Sequence, residues 1–293
     1  MTIKERDVMV WLRWPLLLLA AGALVGPLEF MFVSSFKPDD QILSDLRSLR
    51  AFLPVGQVSL DNYRLVFHGT HLPRFLLNSA LVSCITVALG IAVNSLAAFS
   101  LERIPFRGQK LLLAGIVALL VIPFEVVAIP LMLMVSRLPS PALVHGALAW
   151  SGTWFDTMHV QIVPFIANAF VIFLFVQAFR DIPRELDEAA RMDGAGWWLI
   201  YRQVIMPNAA PTVATASIVL FLSMWNQYLW PVLVTQGEAV RPAMLGIQQY
   251  FGQSTSWGPI MAYASIITIP VLLVFLFFQR RFVQSVVSSG LKG

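Results

Sequence analysis

The sequence predicts an all-α integral membrane protein with six membrane-crossing helices, and three observations predict it. Hydrophobic residues make up 58% of the 293 residues and charged residues only 12%, whereas a soluble domain carries about 25% charge to cover its wetted surface. Six stretches are each long enough to cross a hydrocarbon core about 30 Å thick at about 1.5 Å per residue. Those stretches are rich in Leu, Val, Ile and Phe throughout, unlike the alternating segments of about 10 residues that build a membrane barrel. The composition excludes an ordinary cytosolic enzyme and a disordered chain. The formal charge is +4, but the basic residues are scattered rather than gathered in a stripe, so no nucleic-acid partner is expected. One cysteine, Cys84, allows neither an internal disulfide nor a cysteine zinc cluster.

The spans run Met9–Phe32, Phe75–Leu101, Leu111–Met134, Val160–Phe179, Pro211–Val234 and Pro259–Phe278, and residues 1–293 read as a single transmembrane domain. The first span exceeds the 7–15 apolar residues of a typical signal peptide and lacks a small-residue cleavage pattern, so it reads as a retained helix. With the N-terminus inside, 13 of the 20 basic residues fall on the cytoplasmic side, which places both termini in the cytoplasm. Trp11, Trp14, Trp154, Trp230 and Trp257 stand near span ends, as an interfacial belt requires. Multi-pass insertion makes membrane lipid a partner.

Three loops are long. Ser34–Arg74, expected outside, carries Pro38, Pro54 and Gly56 and reads as a small ordered lobe with fixed turns. Arg137–His159 is Pro-rich at its start and is expected to hold a short surface helix. The cytoplasmic loop 180–208 is the informative one. Pro183 suits a first helical turn, and Asp181, Glu185, Asp187 and Glu188 put negative charge where the helix dipole favours it. Leu186, Ala189, Ala190 and Asp193 recur at i, i+3, i+4 and i+7, a smooth face that another protein could approach closely. Gly194 and Gly196 break this helix, and a second one, Trp197–Met206, is expected to stop before Pro207. Five acidic residues against three arginines argue against a lipid-binding helix, which would be rich in Lys and Arg.

The string Glu188-Ala189-Ala190-Arg191-Met192-Asp193-Gly194-Ala195, with Pro207 downstream, resembles the EAA loop of binding-protein-dependent ABC transporter permeases, in particular the carbohydrate-uptake branch of the maltose and glycerol-3-phosphate type. Leu76-Leu77-Asn78-Ser79, Pro123-Phe124-Glu125-Val126 with Ile129-Pro130, Trp225-Asn226-Gln227-Tyr228-Leu229-Trp230-Pro231 and the closing Gly290-Leu291-Lys292-Gly293 are similar to that branch too. The resemblance implies the type I ABC importer permease fold with a cytoplasmic coupling helix, in a bacterial inner membrane. It implies two separate ATPase subunits, a second related permease in a heterodimer, and an extracytoplasmic solute-binding protein that docks on the outside loops. The cargo implied is a sugar or sugar-like solute, an oligosaccharide or a glycerol-3-phosphate-type compound. Within the loop, Glu188 would carry the charged contact to the ATPase, Ala189 and Ala190 the close packing and Gly194 the turn, with Arg191, Asp193 and Pro207 completing the motif. Gly290 would be a tail contact between the ATPase subunits.

The chain contains no G-x-x-x-x-G-K-[ST] phosphate loop, so ATP and Mg are expected to be used by partner subunits and no cofactor to be bound directly. Glu125 lies deep in span three, where a charge costs at least about 2.5–3.5 kcal/mol. It reads either as a residue of a wet pathway or as a group that satisfies backbone freed by Pro123 and Pro130. Asn226 is placed on the substrate path, with Trp225 or Tyr228 stacking on a sugar face. Interhelix bonding is the equal alternative there, and Asn78 is a weaker path candidate. Asn94 and Ser95 read as packing contacts. His68, His71, His145 and His159 form no metal-ligand spacing, so no catalytic or metal site is expected. A stand-alone secondary transporter or channel would show internal repeats and acidic relays. A membrane-embedded enzyme would need a catalytic cluster at one depth.

Overall fold

The computed structural model describes residues 3–144, 147–251 and 255–290. Along the chain, α1 (Ile3–Ser34) is followed by a lobe of α2 (Asp39–Asp45), a 3₁₀ turn (Leu49–Phe52) and α3 (Asp61–His68). Next come α4 (Leu72–Arg103), α5 (Gln109–Ala118) and α6 (Phe124–Ser136), then a hairpin of β1 (Ser140–Val144) and β2 (Ala147–Ser151). α7 (Met158–Ile166) and α8 (Ala169–Asp181) lead to α9 (Glu185–Met192), α10 (Trp197–Ile200), a π-turn (Tyr201–Ile205) and α11 (Met206–Asn208). The remaining elements are α12 (Ala210–Trp225), α13 (Leu229–Val234), α14 (Ala243–Gly246) and α15 (Trp257–Gly290). The chain divides into two compact units, Met1–Pro73 with Gly246–Ile269, and Arg74–Leu245 with Pro270–Gly293.

Among the described residues, four helical segments are long and apolar enough to cross a membrane: Arg13–Ser34, Leu72–Arg103, Met158–Asp181 and Trp257–Phe277. Two bent pairs, Gln109–Val121 with Phe124–Ser136 and Trp197–Asn208 with Ala210–Trp225, bring the number to six if each counts as one span. The membrane architecture is helical, as expected, but three of the expected spans are not continuous rods.

Span Leu111–Met134 bends by 103°. Pro123 lacks an N–H and drives Ile122 into extended geometry (φ −81°, ψ 114°). Span Val160–Phe179 is interrupted at Ala167–Asn168, both extended. Asn94 of α4 repairs that break. Its amide donates to Ile166 O at 2.8 Å and to its own helix at Gly90 O at 2.6 Å, and its carbonyl accepts from Asn168 N at 2.8 Å. Asn168 in turn caps α8 by accepting from Val171 N. Span Pro211–Val234 ends as a helix at Trp225 and resumes at Leu229, so it too is broken, at Asn226–Tyr228.

Three further expectations are corrected. Arg137–His159 holds the antiparallel hairpin, in register from Ser140↔Ser151 to Val144↔Ala147, not a short helix. The helical path after Gly196 does not stop before Pro207. It widens into the π-turn, which relieves the proline ring from the preceding turn, runs to Asn208, and meets α12 at 80°. Trp230 is not an interfacial residue, being fully buried. The main core of the second unit packs Phe99, Phe175, Phe179, Ile200, Ile205 and Leu220 together.

In the first unit, the lobe is as ordered as its turn residues suggested. Lys37 is almost fully buried, and its Nζ donates to Asp45 Oδ2 at 3.0 Å and to Arg50 O at 2.6 Å. Gln41 bridges Val55 O and Gln57 N across Gly56, whose φ is +87° and where a Cβ would lie 2.4 Å from the Gln41 amide. Asp39 caps the start of α15, accepting from Trp257 N at 3.0 Å and Gly258 N at 2.6 Å.

The hydrogen bond from Lys37 holds the Asp45 carboxyl below its ordinary value of 3.8. A depressed carboxylate stabilises the folded lobe fully above that ordinary value and loses the contribution as pH falls through the lower folded value. Acid titration of lobe order, followed by proteolysis at the lobe, is therefore expected to show a transition below 3.8 that Asp45→Asn removes, the variant being cleaved faster already at neutral pH. Asn94→Leu leaves Ile166 O and Asn168 N unpaired and is expected to cost about 1–3 kcal/mol. A thermal unfolding midpoint in detergent, read by circular dichroism, should fall, and an unchanged midpoint would show that the break finds other partners.

Candidate coupling and translocation sites

Helix α9 begins just after Pro183 with Glu185, Asp187 and Glu188 in its first turn, the placement the dipole favours. It ends in a Schellman arrangement, with Gly194 N donating to Arg191 O and Ala195 N to Ala190 O, both at 2.9 Å. Gly194 has φ +85° and nothing within 4 Å of an added Cβ, so the left-handed backbone alone requires glycine here. The expected smooth face is split. Ala190 packs inward on the core with Ala195, whereas Ala189 is exposed. The outward ridge carries Leu186, Glu188, Ala189 and Met192, with Met192 89% exposed. Asp193 is also exposed. The Arg191 guanidinium lies 3.9 Å from the centroid of the Trp197 ring, which meets Phe99 edge-on, so Arg191 braces α9 against α10. Pro207 lies in α11, after the π-turn.

Asp187 is the buried residue of α9. Its Oδ2 lies 3.2 Å from Arg103 Nε, and Arg103 Nη2 donates to Phe179 O at 2.8 Å and Ile182 O at 2.7 Å. The neighbouring Glu102 holds Arg180 at 3.1 Å and Arg184 at 3.4 Å. Sequence reading missed Glu102 and Arg103 because they looked like an ordinary charged helix end. It counted Asp187 only as a dipole charge. The available signal was that Arg103 terminates a long apolar helix facing a loop rich in acids.

The path candidates gather at the span breaks. Phe124 follows the first break, Phe165 precedes the second and Trp230 follows the third. Their rings meet at centroid separations of 5.5 Å for Phe124–Phe165 and 6.0 Å for both contacts to Trp230. Trp230 Nε1 also donates to Val160 O at 2.9 Å. Non-helical backbone at membrane depth is tolerated where it is buried in protein or lines a wet cavity, which makes these breaks the candidate path. Glu125 is exposed in the first turn of α6. Asn226 is exposed, and its side-chain amide donates to Leu222 O at 3.0 Å. Tyr228 is 41% exposed. Trp225 is not turned outward: it is buried and stacks on Phe221 at 5.5 Å. Asn78 is a correction as well. It is buried, and its amide holds Ala239 O at 3.0 Å and Arg241 O at 2.9 Å, so it anchors a loop rather than facing a path. Asn94 and Ser95 are packing contacts, the latter bonded to the Tyr201 hydroxyl at 2.8 Å. Gly290 is the last residue of α15, and what surrounds it lies outside the described residues.

The family of binding-protein-dependent transport system inner membrane components matches residues 85–288, which include α9 and all three breaks. The chain belongs to this family. It is the membrane-spanning permease subunit of an ABC importer. The chain is 32% identical to the trehalose transport system permease protein of Mycobacterium tuberculosis, over 94% of this chain and 95% of that one. It is 29% identical to the lactose transport system permease protein of Rhizobium radiobacter, over 99% of both. A sn-glycerol-3-phosphate transport system permease protein of Brucella abortus is 30% identical over 98% of this chain and 99% of that one. Among solved structures, a bacterial ABC transporter involved in the import of the acidic polysaccharide alginate superposes with TM-score 0.77 at 21% identity, covering 96% of the permease and 98% of that chain.

Gly194→Ala in the permease is expected to strain the left-handed turn by about 1–2 kcal/mol without a clash. Hydrogen exchange should then speed up about 5- to 30-fold at the α9 amides, with Gly194→Asn intermediate. Unchanged exchange would mean that the turn does not hold α9.

Proposed function

We propose that this permease, paired with a second, different permease subunit, forms the path for a neutral sugar or sugar-like solute delivered by an extracytoplasmic binding protein. Two ATPase subunits seated on the coupling helices supply ATP hydrolysis with Mg, and this chain binds no cofactor itself. The observation that carries the reading is the outward ridge of α9. A helix of mixed charge, fixed from behind by Asp187 and ended by a rigid turn, presents Leu186 and the 89% exposed Met192 to its surroundings. Large apolar side chains held outward on a braced helix suit a protein cleft better than water. The distribution of basic residues supports a cytoplasmic position for that ridge and for both termini, and the lobe between α1 and α4 then lies on the receptor side.

The carbohydrate class is supported by the relatives named for trehalose and lactose transport. Glu125 at one break supports a neutral cargo over an organic phosphate, because a carboxylate beside the path repels an anion. The complete transporter, reconstituted in vesicles, should accumulate radiolabelled trehalose or lactose only with ATP and binding protein present. Gly194→Pro cannot adopt the positive φ and is expected to insert normally yet abolish uptake and receptor-stimulated hydrolysis. ATP-independent accumulation by the isolated permease would overturn the assignment.

A further inference from the structure

We propose that Arg103 is a positioning residue that turns α4 into a connecting rod between the coupling helix and the loop at the rod's far end. The proposal rests on α9 being the helix that receives the ATPase. α9 is joined through the chain to α8 by Ile182–Arg184 and to α10 by Asp193–Gly196, but α4 reaches it only by side chains. Arg103 donates to Phe179 O in the last turn of α8 and to Ile182 O just past it, and lies against Asp187 of α9, with the Arg103 and Asp187 side chains 2% and 8% exposed. One planar guanidinium therefore ties three elements together. At the other end of α4, Asn78 holds Ala239 O and Arg241 O, and Ser79 Oγ accepts from Ala243 N at 2.8 Å. The two attachment points are separated by 25 residues of helix, about 38 Å.

The pair is built as a joint rather than for stability. Arg103 Nε makes no aligned hydrogen bond to Asp187, and Asp187 Oδ1 has no hydrogen-bond partner among the described residues. A buried carboxylate with one idle oxygen stabilises less than an apolar pair of the same volume would. Charge attraction, however, falls off gently with distance and survives a rotation that would open a close-packed apolar contact. Glu102 with Arg180 and Arg184 flanks this joint from the exposed side, the two arginines being 52% and 67% exposed, where salt screens the attraction.

The test uses the complete transporter with Cys84→Ser and a reporter, Gln236→Cys, in the loop beyond α13. The rate of maleimide labelling at that cysteine is compared without nucleotide and after trapping with ATP and vanadate. A coupled transporter is expected to change the rate by about fivefold or more. Asp187→Asn and Arg103→Met are expected to keep their ATPase subunits, because the outward ridge is untouched, and to reduce the change to less than about twofold, while Arg103→Lys retains an intermediate response and Glu102→Gln nearly all of it. Gly194→Pro is the control for the underlying reading. If it leaves the nucleotide response intact, α9 is not the coupling helix. If it abolishes the response while Asp187→Asn and Arg103→Met preserve it, the connecting rod alone is refuted. Loss of the ATPase subunits from Asp187→Asn and Arg103→Met would assign the pair a merely structural role and equally refute it.

Discussion

A backbone N–H or C=O without a partner cannot be left in hydrocarbon, where each costs several kcal/mol, and the second unit is arranged around that constraint. Three helices stop within apolar stretches, so the backbone at Ile122–Pro123, Ala167–Asn168 and Asn226–Tyr228 must find partners that a continuous helix would have supplied. At the second break a single side chain does most of this, since Asn94 both donates to Ile166 O and accepts from Asn168 N. At the third, Asn226 closes the last turn of α12 with its own backbone and side-chain amides on Leu222 O. At the first, Ile122 N turns back to Leu119 O and the proline has no N–H to satisfy. Phe124, Phe165 and Trp230 then pack the three interruptions against one another, so the breaks form one neighbourhood and not three separate defects.

The end that carries α9 meets a different constraint, because a charged helix there packs against the apolar core. Ala190 and Asp187 face inward, and everything that could meet a partner faces out. Burial of Asp187 would be costly alone, and Arg103 makes it tolerable. The same arginine also donates to the carbonyl of Phe179, which it shares with the capping N–H of Ile182, and to the carbonyl of Ile182 just past the end of α8. The loop helix α9, the end of α8 and the membrane helix α4 are thus served by one buried cation.

The sequence made the apolar stretches of the helical membrane architecture legible, because hydropathy reports length in lipid. It also made the α9 turn legible, because Gly194 follows a helix-forming run and a Schellman turn selects glycine at that position. Hydropathy is blind to direction, however, so a bend of 103° inside Leu111–Met134 leaves no trace except Pro123. The break at Asn168 is set by Asn94, 74 residues earlier, and no local pattern reveals such a partner. The inward turn of Ala190 and Asp187 is likewise fixed by what α4 and α8 place behind them. Periodicity identified a face of α9 but could not say which way it pointed. The roles of Asn78 and Trp225 stayed open in the sequence for the same reason: a polar or aromatic side chain in a span has a partner, and sequence does not say whether that partner is solute, ring or loop carbonyl.

The contrast between α4 and other helices of the chain is itself physical. α1 contains Pro15 and Pro27, α6 contains Pro130, α7 contains Pro164 and α15 contains Pro270, each deleting a helical hydrogen bond and softening the rod. α4 runs for 32 residues with its one proline, Pro73, in the first turn, where no hydrogen bond is lost. Elements interrupted by breaks bend locally before they transmit displacement, whereas an unbroken ladder of hydrogen bonds moves as a body. In the second unit the intact helix is also the one that holds α9 through Arg103, repairs a broken span through Asn94, and grips the far loop through Asn78 and Ser79. Polar side chains at three heights on one stiff helix connect sites that the broken spans, by themselves, would leave mechanically independent.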